Sequence, residues 1–179
     1  MNFNNKFILI LIGFTILGSI LALNSESDPP EKFSGDENMV YYNPETDSIP
    51  EATLDSIISL GKTLLGKPYR YVGPSPRPMD CSGYLSYIFG EYEVVIPHVS
   101  GDIGLLVKTI DLSEIKKGDF LFFKGSDINS KGIGHVALVI EVTQETIMIM
   151  HSTVSGGIMV QDYNTSTYFK KRFIKAGRL

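Results

Sequence analysis

The chain has 179 residues, enough for one folded domain and too few for two well-formed ones. It is 43% hydrophobic and 20% charged, a globular composition, and its net charge of −4 counts against a nucleic-acid partner, which needs a basic surface. A single cysteine excludes an intramolecular disulfide and any structural zinc site built on several thiolates.

Residues 1–23 form the first segment. Lys6 is their only charge, and an uncharged, mostly apolar run of 17 residues extends from Phe7 to Leu23. A signal-peptide core is usually about 7–15 residues and a spanning helix about 20, so a cleaved signal and an uncleaved anchor both stay open. Cleavage after Ala22 would put bulky Ile20 where a small residue is wanted. Lipid anchoring needs a cysteine just after the run, and the only cysteine is Cys81, so a lipoprotein is excluded. On either reading the chain is exported to the periplasm or cell envelope, with membrane contact only through residues 7–23 if they are retained. Residues 24–50 carry seven acidic residues against Lys32, plus four prolines, and read as an acidic flexible spacer. The remaining stretch, residues 51–179, has 14 basic and 13 acidic residues and is the folded domain. It is expected to be monomeric.

Within the domain, helices come first. Leu54, Ile57, Ile58, Leu64 and Leu65 recur at helical spacing from Glu51 to Leu65, and Gly66 and Pro68 stop that helix. Residues 69–79 hold three prolines and read as a stiff, extended loop. Asp80 suits the N-cap of a second helix from Cys81 to about Phe89, closed by Gly90. A short helix is placed near Asp102 to Val107. Strands follow at Asp119 to Lys124, Gly134 to Val142, Thr146 to His151, Gly157 to Tyr163 and Arg172 to Ala176. Helices followed by an antiparallel meander define an α+β class, not a parallel βαβ one.

The chemistry is expected where the two halves meet. A helix start presents unpaired N–H groups and partial positive charge, which favours thiolate at Cys81, while a buried apolar cysteine is the equal alternative on position alone. A free thiol in an exported chain tips this balance toward a function. His135 opens the strand HVALVIEV and His151 closes the strand TIMIMHS. A hairpin turn at Thr143 to Glu145 would bring the two side by side, the arrangement of a base whose ring a second polar group holds. The same pair could start a metal site, but no neighbouring carboxylate offers a third ligand, so no metal or other cofactor is expected.

The stretch GKPYRYVGPSPRPMDCSGYLSYIF, followed by KKGDFLFFK, GHVALVIEV and MIMHSTVSGGIMV, resembles the NlpC-type papain-like cysteine peptidases of bacterial cell walls. The likeness covers about residues 51–179. The Asp-Cys-Ser-Gly tetrad, Gly-Asp and His-Val in that order are specific together. The resemblance implies a papain-like fold with N-terminal helices carrying the cysteine, packed on a small antiparallel sheet carrying the histidines. It implies Cys81 as nucleophile, His135 as base and His151 as the third residue, with Tyr69 stabilising the oxyanion. Ser82, after the nucleophile, is expected to let the backbone approach substrate closely. The implied partner is the peptidoglycan stem peptide, cut at the γ-D-glutamyl–diamino-acid bond. The chain departs from the family's habit with three prolines after Val72-Gly73 and with His98 after Pro97, which bears on specificity more than catalysis. An inactive wall-binding module, and an amidase or acyltransferase on the same fold, are the alternatives.

Overall fold

The computed structural model describes residues 49–70 and 79–179. The apolar N-terminal segment, nearly all of the acidic spacer and most of the proline loop lie outside them. Among the described residues, no helix is long and apolar enough to cross a membrane.

Pro50 precedes α1 (Glu51–Thr63), which buries Ile57 and Ile58, and Gly66 takes the left-handed conformation (φ 80°) just past its end. The second helix, α2 (Cys81–Gly90), buries eight of its ten residues, so it lies within the core and not upon it. Its two buried serines satisfy their hydroxyls by donating to the backbone carbonyls of Pro97 and His98, both at 2.6 Å. Gly90 is the last helical residue, and the left-handed position falls later, at Glu93 (φ 62°). A short helix, α3 (Ser100–Leu106), follows.

The sheet is antiparallel and six-stranded: β1 (Lys108–Ile110), β2 (Phe120–Phe123), β3 (His135–Val142), β4 (Ile147–Thr153), β5 (Gly157–Asp162) and β6 (Phe173–Arg178). Its order is β1-β6-β2-β3-β4-β5, so the expected meander runs from β2 to β5 and the last strand returns to the free side of β2. Besides a single 3-10 turn at Leu112–Glu114, two elements were not expected. Strand β1 has three residues, two of them exposed, and exists because β6 pairs with it from the far end of the chain. The six-residue α4 (Thr167–Arg172) is capped by Ser166, whose hydroxyl accepts from Phe169 N–H, and has Lys170, Lys171 and Arg172 in its last turn.

Every residue of β2 is buried because both faces of the sheet are covered. Phe120 and Phe122 pack with the helices, alongside Tyr84, Leu85, Ile88, Leu138 and Met150. Leu121 and Phe123 pack on the other face with Ala137, Val139, Ile149, Tyr163 and Phe169. Among the described residues, the helix-side core contains one unsatisfied side-chain group, the hydroxyl of Tyr84, which is wholly buried without a hydrogen-bond partner. That hydroxyl gives up hydration for no return, so Tyr84→Phe is expected to leave stability unchanged or raise it by up to about 1 kcal/mol. Thermal melting would contradict this if the variant lost stability instead.

Candidate active site

Cys81 is the first residue of α2, and the carboxylate of Asp80 caps the helix by accepting Gly83 N–H at 2.7 Å. The preceding Met79 is held three ways. Its backbone exchanges hydrogen bonds with Arg70, and its carbonyl accepts the buried hydroxyl of Ser152 at 2.6 Å. Ser152 directly follows His151 in β4. One strand therefore carries a histidine on one face and fastens the chain entering Cys81 with the next residue on the other. The same entry segment docks on β5, where Gly66 N–H donates to the Ile158 carbonyl and Ile158 N–H to Lys67. Tyr69, half-buried, directly precedes Arg70 in this segment.

The thiol lies against the start of β3, where the N–H of Val136 reaches it, as does the N–H of Ser82 from α2. Val136 is the residue after His135, so the thiol and the His135 ring share one end of the sheet. The two histidines are hydrogen-bonded, His135 Nε2 to His151 Nδ1 at 2.9 Å. They sit on one face of β3 and β4 as diagonal neighbours, as the hairpin register requires. With Nε2 so engaged, Nδ1 is the other ring nitrogen of His135. Two aromatic residues wall the pair. The Phe169 ring stacks on His135 (5.7 Å between centroids) and meets His151 edge-on (5.1 Å), while Phe123 covers His135 from β2 (5.9 Å).

This apolar wall sets the electrostatics. Burial holds His135 down to about 3, with the neighbouring His151 adding to the effect, and burial holds His151 down to about 4. At Cys81 the helix start was expected to favour thiolate. Burial instead pushes the thiol above its ordinary value, and the Asp80 carboxylate adds to this, outweighing the N–H groups that pull it down. Burial thus favours the neutral forms of the thiol and of both imidazoles.

A pH dependence of stability follows. Above the ordinary histidine value near 6.5, neither folded nor unfolded chain protonates these rings. Below it, only the unfolded chain does, so the stability present at neutral pH is lost as pH falls toward 4 and 3. A loss on the order of 2–4 kcal/mol is expected between pH 7 and 5. Urea titrations would show it as a falling midpoint, and His135→Asn/His151→Asn should flatten the slope. An equal slope in both proteins would rule out this origin.

Gly134 shows why a glycine precedes the base. A Cβ there would stand 2.6 Å from the backbone nitrogen and 2.7 Å from the Cα of Gly125, neither of which can yield as a side chain does. Gly134→Ala is expected to cost about 1–3 kcal/mol and to lower turnover by displacing His135. Gly90→Ala, which meets nothing within 4 Å, is the control and should change neither. Wild-type melting and turnover in Gly134→Ala would refute the account.

Of the other expected residues, Ser82 donates its hydroxyl to the His98 carbonyl, and both its N–H and its side chain lie against the Cys81 sulfur. His98 itself is exposed. Ser152, Phe169 and Gly134 had not been singled out. A serine after the strand-ending histidine and an aromatic after the Ser166 cap are the signals that could have found them. Among the described residues, no three His, Cys, Asp or Glu side chains group as metal ligands.

A helix-borne thiol set against a sheet-borne imidazole pair is the arrangement of a papain-like α+β domain. Solved structures share the fold. An NLP/P60 family protein of Staphylococcus aureus matches with TM-score 0.60 at 24% identity, covering 80% of this chain and 44% of that one. A family member from Bacillus cereus matches with TM-score 0.58 at 28% identity, covering 70% and 39%. The profile of the NlpC/P60 family matches residues 66–178, and the chain belongs to that family. It is 33% identical to a gamma-DL-glutamyl hydrolase of Bacillus subtilis, over 73% of this chain and 32% of that protein. It is 36% identical to a gamma-D-glutamyl-L-lysine dipeptidyl-peptidase of the same organism, over 75% and 45%. A probable endopeptidase NlpC of Escherichia coli is 28% identical, over 64% and 70%. The chain thus spans about a third to a half of the length of the two Bacillus relatives.

Proposed function

We propose that this protein is a peptidoglycan hydrolase of the cysteine-peptidase type, cutting stem peptides at the γ-D-glutamyl–diamino-acid bond. The observation that carries the reading is the hydrogen-bonded His135–His151 pair at the sheet end where the Cys81 thiol lies. The names of the two Bacillus relatives support the γ-glutamyl bond.

In this mechanism His135 Nδ1 takes the thiol proton as Sγ attacks the scissile carbonyl carbon. N–H groups at the start of α2, with Tyr69, stabilise the oxyanion. The His135 imidazolium then protonates the leaving amine, leaving an acyl-enzyme. A water that gives its proton to His135 attacks that thioester, releasing the carboxylic acid and restoring the thiol. Starting from a neutral pair, proton transfer accompanies attack. Asp80 is assigned the helix cap alone. Domain limits of 1–23, 24–50 and 51–179, and export directed by the apolar N-terminal segment, complete the proposal.

The test is mass spectrometry of defined muropeptides incubated with the purified protein. Fragments split between D-glutamate and the diamino acid are expected. Cleavage of another amide bond would reject the bond assignment, and acyl transfer to an added amine in place of water would make the protein a transferase. One observation favours a second reading, an inert wall-binding module: burial raises the Cys81 thiol. A folded protein that binds muropeptides without cleaving any would establish it.

A further inference from the structure

His151 is wholly buried, its Nδ1 is engaged by His135, and its Nε2 closes no hydrogen bond of good geometry. A buried polar atom without a partner is costly, and a histidine that must stay in one tautomer is a poor place for it. The partner is at hand. Strand β5 pairs Met159 with His151 and Gln161 with Ile149, which puts Gln161 on the His151 face, one diagonal step away. The Gln161 carboxamide lies within reach of the His151 ring, and Nε2 is the ring nitrogen still open to it.

We propose that Gln161 is a positioning residue, its carbonyl oxygen accepting a hydrogen bond from His151 Nε2 and so fixing the tautomers of both histidines. The logic is one of proton count. A neutral imidazole carries one N–H. If His151 Nε2 holds that proton, Nδ1 must accept, so His135 donates from Nε2 and leaves Nδ1 with a free lone pair toward Cys81. If His151 holds its proton on Nδ1, that atom donates, His135 carries its own proton on Nδ1, and the base cannot take one from the thiol. The imidazolium formed at His135 during attack also donates from Nε2, which again needs His151 as acceptor. An acceptor at Gln161 selects the working arrangement, as the buried carboxylate of a hydrolase triad does for its histidine.

This inference rests on the proposed hydrolase reading, and its test separates the two. Gln161→Met keeps volume and removes the acceptor, while Gln161→Glu keeps an acceptor. Side-chain 15N spectra of wild type should show His151 protonated on Nε2, a state kept in Gln161→Glu and replaced by mixed tautomers in Gln161→Met. With muropeptide substrate, Gln161→Met should lose about tenfold in kcat with KM unchanged, the worth of one hydrogen bond, and Gln161→Glu should stay within about threefold of wild type. Gln161→Ala serves if the methionine variant does not fold. Wild-type tautomers in the methionine or alanine variant overturn the proposal, whatever kcat does. A wild type that cleaves nothing overturns the hydrolase reading, and the spectra still decide the role of Gln161.

Discussion

Cys81→Ala is expected to lower hydrolysis of muropeptides by at least about 10³-fold without unfolding the protein. The thiol is the only nucleophile at the start of α2 whose side chain is not engaged in holding the fold. The Ser82 hydroxyl donates to His98, and the Asp80 carboxylate accepts Gly83 N–H. His135→Ala should reach a similar loss, because attack from a neutral thiol needs a base in the same step. His151→Ala acts one bond further away and should lose less, on the order of 10²-fold. In the proposed mechanism the three side chains act as one device, so the double variant Cys81→Ala/His135→Ala should be no worse than either single one. Steady-state rates on one defined muropeptide measure all four. A Cys81→Ala protein retaining more than a few per cent of activity would remove the thiol from the mechanism, and losses that multiply would show the residues act separately.

The second large effect falls on stability and lies at the other end of the sheet. Asp119 is completely buried just before β2. Its carboxylate accepts Arg178 Nε at 2.7 Å, Arg178 Nη2 at 2.9 Å and Lys116 N–H at 2.7 Å. Arg178 ends β6, and its guanidinium also donates to the Glu114 carbonyl. One carboxylate thus joins β2, β6 and the turn before β2. Asp119→Ala would leave a half-buried guanidinium and a backbone N–H without their acceptor. The expected cost is about 3 kcal/mol, or roughly 10 °C in Tm. Register places Phe120 opposite Leu138 and Phe123 opposite His135, so the site lies at the far end of β2. Folded Asp119→Ala should therefore keep its turnover at low temperature. Calorimetry and rates together decide this: an unchanged Tm would reject the account of the ion pair, and a lost rate in folded protein would give Asp119 a role at the site. The Gly-Asp pair read as part of the family signature is structural here. Gly118 adopts φ 95°, and a Cβ on it would meet Leu54 at 2.6 Å.

Local sequence was enough for the parts whose physics is local. The Asp80 cap, the start of α2 at Cys81 and the stop at Gly66 rest on neighbours a few residues away. The hairpin turn between HVALVIEV and TIMIMHS brings the start of one strand beside the end of the next, and the two histidines are bonded there. Each of those outcomes needs only backbone geometry over a single turn or pair of strands. The α+β class and the order of helices before strands were legible for the same reason, and the cysteine and both histidines could be named before any contact was known.

What the tertiary structure alone decided depends on residues far apart in the chain. Strand β1 exists because β6 returns to it, and three residues show no pattern of their own. The hydroxyl of Ser152 meets the carbonyl of Met79 across 73 positions. Phe169 reaches both histidines only because α4 folds back over the face of β3 and β4. The ionisation of the site belongs to the same group. A helix start favours thiolate when water can reach it, and that much is visible in Asp-Cys-Ser-Gly. Burial under α2 and the aromatic wall reverses the outcome, because removing water costs the charged forms of Cys81, His135 and His151 more than the nearby N–H groups return. Desolvation is a sum over the whole surrounding fold, and no short stretch of sequence carries that sum.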